Sequence, residues 1–107
     1  MKASGWSSGN GTFGIRVGTS NRDRHFDPSW REIEVEIDGH SHRFTLTPGF
    51  WNKCPEFRDS GGTAIKDWLS THYTIDWLTG KPPQFQLTPV GVAKFRLVAK
   101  ERDVRGS

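Results

Sequence analysis

Residues 31–44 read "REIEVEIDGHSHRF". Ile33, Val35 and Ile37 alternate with Glu32, Glu34 and Glu36, the period of two expected of a strand with one buried face. Asp38-Gly39 then supplies the residue types that accept positive φ at both central positions of a two-residue type I′ turn, so "HSHRFTL" is expected to return as the partner strand. With that turn, Ile37 faces His40, Val35 faces His42, Glu34 faces Arg43 and Ile33 faces Phe44. The register places Phe44 and Leu46 on the apolar face and sends His40 and His42 inward with it. Glu34 and Arg43 become a cross-strand pair on the outer face, the kind of match worth about 0.2–1 kcal/mol.

The same reasoning extends outward along the chain. Phe13, Ile15 and Val17 alternate with Thr12, Gly14, Arg16 and Gly18, which predicts a half-buried strand. "TSNRDRHFDPSW" (19–30) reads as a long polar loop. Thr47-Pro48 is an N-cap followed by proline at the first helical position, opening the short segment "GFWNKC" that Cys54-Pro55 should close. Thr63 is expected to cap a second helix of about three turns, on which Ile65, Trp68, Leu69 and His72 share one face. In the connector "YTIDWLTGKPP", Ile75, Trp77 and Leu78 are expected to cover one edge of the core. Phe85 and Leu87 alternate before the turn "TPVG", and Phe95, Leu97 and Ala99 after it with Lys94 and Arg96 facing out, a second hairpin. The order β-β-β-α-α-β-β, with strands and helices segregated, implies an α+β domain. Its mainly antiparallel, curled sheet should have about five strands, with a helical layer on one face.

A chain of 107 residues suits one domain. Residues 1–11, "MKASGWSSGNG", are expected to be a flexible lead, 12–100 the domain and 101–107 a solvated tail. Five Trp and seven Phe among few Leu and Ile point to an aromatic core. Cys54 is the single cysteine, which excludes an internal disulfide and a multi-thiolate zinc site. No apolar run approaches the roughly 18 residues that span a bilayer, and the start does not resemble a signal peptide. The expectation is a soluble, cytoplasmic protein with no membrane association.

Charge is more informative by position than in sum, which is +3. Lys81, Lys94, Arg96 and Lys100 lie in residues 79–100 with no acidic residue among them, while Glu32, Glu34, Glu36 and Asp38 make an acidic stripe. A positive surface and a separate negative one are therefore expected.

The candidate chemistry is sparse. His40 and His42 on one strand face stand about 7 Å apart, as two metal ligands would, but a third ligand would have to come from His25 or His72. Without it they are sheet-edge histidines, His42 packed on Val35, which is the favoured reading. Cys54 beside Lys53 reads as a buried or semi-buried structural cysteine ahead of a thiol nucleophile. Residues 59–62, "DSGG", read as a loop before the helix, with anion capture at its N-terminus the lesser alternative. The adjacent aromatics Phe50 and Trp51 read as sandwiched between the short helix and the sheet, with exposure of one of them for stacking the lesser alternative. Basic residues interleaved with aromatics remain: Arg16, Arg22, Arg24, Lys94 and Arg96, with Trp51 beside them, suit contacts to nucleic-acid phosphates. The reading is thus a small non-enzymatic binding module without cofactor, its partner nucleic acid. A protein partner or homodimer is the alternative, and a histidine-based metal or ligand binder stands behind that.

Overall fold

A computed structural model describes residues 1–8, 11–59, 62–72 and 83–99. Seven strands form one sheet: β1 (Lys2–Ser7), β2 (Phe13–Arg16), β3 (Glu32–Ile37), β4 (His40–Thr45), β5 (Glu56–Arg58), β6 (Gln84–Gly91) and β7 (Lys94–Ala99). Three helices interrupt them, α1 (Thr19–His25), α2 (Pro48–Asn52) and α3 (Ala64–His72). The strand order is β4-β3-β7-β6-β1-β2-β5, antiparallel except for the parallel pair β3–β7. The end strands β4 and β5 curl toward each other until the rings of Phe44 and Phe57 lie 5.2 Å apart, so the sheet is nearly a barrel. This is an α+β chain with a mostly antiparallel, curled sheet.

The hairpin at 31–44 has the expected register, from Ile33 opposite Phe44 to Ile37 opposite His40. Asp38 (φ 51°) and Gly39 (φ 85°) both take the positive φ that a type I′ turn requires. Thr47 caps α2, its Oγ1 accepting from the Phe50 N–H, with Pro48 in the first turn. On α3, Ile65, Trp68 and Leu69 are buried as the helical spacing predicted.

Five sequence expectations are corrected. The lead at 1–11 is not flexible throughout: Lys2–Ser7 is an interior strand, bonded to β6 on one side and β2 on the other. Its inward residues are Ala3 and Gly5, too small to register as an apolar stripe, yet it joins the two halves of the sheet. The count of about five strands omitted β1 and also β5, which is three residues long and contributes one fully buried side chain, Phe57. The polar stretch after Gly18 is helix α1, which buries none of its own residues and so carries no apolar period. The second hairpin turns at Val92-Ala93 instead of at 88–91: β6 continues through Pro89 to a register shift before Gly91. β1 pairs with β6 only over Gln84–Gln86, so Pro89 faces no partner on that side and its missing N–H costs nothing there. Strands and helices are not segregated either: the three short helices are interspersed among the strands, so the expected helical layer is matched only in part. The expectations for Ile75, Trp77 and Leu78, for Lys81 and Lys100, and for the tail at 101–107 lie outside the described residues.

The interior is aromatic. Phe26 stacks on Phe95 at 4.8 Å and leans on Phe50 at 5.1 Å, and Trp68 meets Phe85 edge-on at 5.0 Å. Among the described residues no helix is long and apolar enough to cross a membrane.

Candidate functional site

Burial alternates along β3 and β7, so Glu34, Glu36, Lys94 and Arg96 can be assigned to the outer face of the sheet and followed to their neighbours. Parallel pairing sets Glu34 opposite Lys94 and Glu36 opposite Arg96. Both pairs close, Lys94 Nζ to Glu34 at 3.7 Å and Arg96 to Glu36 at 3.3 Å. Glu34 faces Arg43 as the register required, but Arg43 reaches diagonally to Glu32 at 3.4 Å, because β7 supplies Glu34 with its own lysine. Among the described residues Glu32, Glu34 and Glu36 thus stand against Arg43, Lys94 and Arg96 on one surface, so Lys94 and Arg96 do not form a positive surface apart from these glutamates.

Arg22 is internal scaffolding. One of its guanidinium nitrogens donates to the carbonyls of Phe50 (3.2 Å) and Trp51 (3.0 Å), satisfying two of the orphan acceptors at the end of α2, and its Nε meets Asp23. Trp51 is half-buried against the core and in edge contact with Phe50 at 5.0 Å, so it offers only part of its surface. Arg24 is exposed on α1 and makes no ion pair among the described residues.

Arg16 lies in a different setting. Its guanidinium stands 3.6 Å from Glu56, and Arg58 bonds the other oxygen of the same carboxylate at 3.2 Å. Glu56 is 5% exposed while the two arginines are about half exposed. A buried carboxylate is tolerated only with compensating charge, and two guanidiniums sharing it leave this face net positive. One row along, Trp6, Gly14 and Arg58 are direct neighbours on β1, β2 and β5. Gly14 has no side chain to interrupt them, and Arg58 lays its guanidinium 4.4 Å from the centre of the Trp6 ring. Beside this pair a groove of about 180 Å³ is lined by Lys2, Ser4, Arg16, Gly18 and Gln84, with no carboxylate in its lining. Asn21 on α1 closes one side by donating to the carbonyls of Lys2 and Val17. Sequence reasoning found Arg16 but missed Lys2, Trp6 and Arg58, since the strands that carry the three lacked a recognisable period.

The histidines stand elsewhere. Both stand on the face of the hairpin that carries Ile37, as the register required, His42 half-buried and His40 exposed beyond the end of the core. With Asp38, Asp67, Trp68 and Thr71 they line a cleft of about 210 Å³ between the hairpin and α3. His72 reaches Asp38 in the hairpin turn (3.5 Å). Among the described residues no group of three His, Cys, Asp or Glu side chains is arranged to hold a metal ion.

The start of α3 is closed by Asp59, whose two oxygens accept from the N–H groups of Ile65 (2.8 Å) and Lys66 (3.0 Å). The Thr63 hydroxyl, the expected cap, donates to Asp67 instead, and the Asp59 carboxylate stands where a captured anion would bind. Burial raises the Asp59 pKa above its ordinary value; the two backbone bonds and His42 oppose the shift and Asp67 adds to it. Cys54 is exposed, contrary to expectation, in the short link from α2 to β5.

Comparison with protein-family models, curated proteins and solved structures gives no match for this chain.

Proposed function

We propose that the protein is a small non-enzymatic binding module that contacts nucleic-acid phosphates. The observation that carries the reading is the face around Arg16, where Arg16 and Arg58 share the single buried carboxylate of Glu56 and Lys2 lines the adjoining groove. Lys94 and Arg96 are already neutralised by Glu34 and Glu36, so in this reading they contribute less than Arg16. Arg22 acts indirectly by fixing α2 and Trp51, and Arg24 adds an exposed charge on α1. Phosphate contacts of this kind release condensed counterions, so the affinity falls steeply with salt. A labelled pool of about 30-residue DNA and RNA, titrated with protein at low salt, should shift and then release as salt is raised. If nothing shifts at low salt, the proposal fails.

Self-association is a second reading, favoured by one observation. Val92 is 85% exposed at the tip of the β6–β7 hairpin, with Val90 and Val98 also exposed on the same two strands. Light scattering over a concentration series tests it: a monomer throughout rules it out.

A further inference from the structure

We infer that the ligand of the Arg16 face is an unpaired polynucleotide, one of whose bases stacks on Arg58 while the adjoining phosphates lie over Arg16 and Lys2. The inference rests on the nucleic-acid reading above and specifies the form of nucleic acid.

The Arg58 guanidinium covers Trp6 at 4.4 Å, and its side chain remains about half exposed. A planar cation resting on an aromatic ring presents its second plane outward, and guanidinium planes stack on π-faces as aromatic rings do. Trp6, Arg58 and an incoming base would form three tiers. Glu56 holds Arg58 from below, so the platform is positioned before the ligand arrives.

The phosphate position follows from the strand register. Arg16 and Glu56 occupy the row two residues along from Gly14 and Arg58, a separation of about 7 Å. That distance is within reach of one nucleotide of an extended chain. The groove lined by Lys2, Ser4 and Arg16 continues from that row and contains no carboxylate to repel a phosphate.

A duplex cannot use such a platform. Away from its ends a duplex covers both faces of each base with the neighbouring pairs, and only base edges are presented in the grooves. An unpaired strand offers its base faces freely, and stacking on them tolerates any sequence.

The test is fluorescence anisotropy with the full chain in about 50 mM salt. Three labelled probes are compared: an oligo(dT) and an oligo(rU) of about 20 nucleotides, and a mixed-sequence duplex of the same length. Either single strand should bind at least about tenfold more tightly than the duplex and quench tryptophan emission. Trp6→Ala and Arg58→Ala should each weaken single-strand binding by about tenfold or more, with much smaller changes for the duplex. Arg58→Lys keeps a cation beside the buried Glu56 and removes the planar face, so it should weaken single-strand binding and reports on stacking even if Trp6→Ala or Arg58→Ala disturbs the fold; circular dichroism of each variant checks this. Duplex binding as tight as single-strand binding overturns the inference and leaves the broader nucleic-acid reading standing. Folded Trp6→Ala and Arg58→Ala proteins with unchanged affinity overturn it as well. No binding to any probe removes both.

Discussion

Arg58 and Trp6 meet across the full width of the strand between them. They belong to β5 and β1, separated by β2, and the contact exists because the residue of β2 in that row is Gly14. A Cβ built on Gly14 would stand 2.5 Å from the Phe57 carbonyl oxygen and 3.0 Å from the Arg58 Cβ, closer than such atoms approach. The glycine therefore serves strand packing and the cation–aromatic contact at once.

Gly14→Ala should push β5 away from β2. Forced overpacking of this kind costs about 1–3 kcal/mol, to be read as a lower denaturant midpoint. Altered tryptophan emission in the folded variant should accompany it as Arg58 leaves the Trp6 ring. A variant of unchanged stability and emission would show that the two strands separate freely.

Arg22 should behave as a structural residue. Arg22→Met leaves the Phe50 and Trp51 carbonyls without their donor, a loss of about 1–3 kcal/mol. The salt dependence of nucleic-acid binding should change little in comparison. Thermal melts and salt titrations of the same variant separate the two effects.

Lys94 and Arg96 should matter little to stability, because exposed ion pairs contribute about 0–1 kcal/mol each. In binding, the double variant Lys94→Ala/Arg96→Ala should lose less affinity than Arg16→Ala/Arg58→Ala. Equal losses in side-by-side titrations would mean that Glu34 and Glu36 do not neutralise their partners.

Asp59 makes stability depend on pH in a direction opposite to the usual carboxylate. Its pKa is raised in the folded state, mainly by burial, so the folded protein holds this proton more tightly than the unfolded chain does. Its contribution is therefore fully present below the unfolded value, about 3.9, and is lost as pH rises through the folded value. The Asp59 carboxyl resonance should titrate above 3.8. The stability of the wild type relative to Asp59→Asn should fall across that window. Asp59→Ala removes the acceptor for two helix N–H groups and should cost about 0.5–2 kcal/mol, measured by chemical denaturation.

Local sequence suffices for the elements whose instructions lie between neighbouring residues. Asp38-Gly39 needs only its own φ preferences to set a turn, and the turn then dictates each pair from Ile37–His40 to Ile33–Phe44. Thr47-Pro48 starts α2, and the spacing of Ile65, Trp68 and Leu69 gives α3 its buried face. Tertiary structure alone decided which outer faces lie side by side. Glu34 and Glu36 meet Lys94 and Arg96 from sixty residues away because β3 and β7 pair in parallel, a choice no local pattern encodes. Likewise β1 is a strand because β6 and β2 pair with it on either side, and β5 because β2 offers it an edge; their inward residues Ala3, Gly5 and Phe57 are too small or too few to announce a strand. The candidate site sits on those two strands and β2, so Lys2, Trp6 and Arg58 came into view only when curvature brought distant backbone together, whereas Arg16 was legible from the alternation of its own strand.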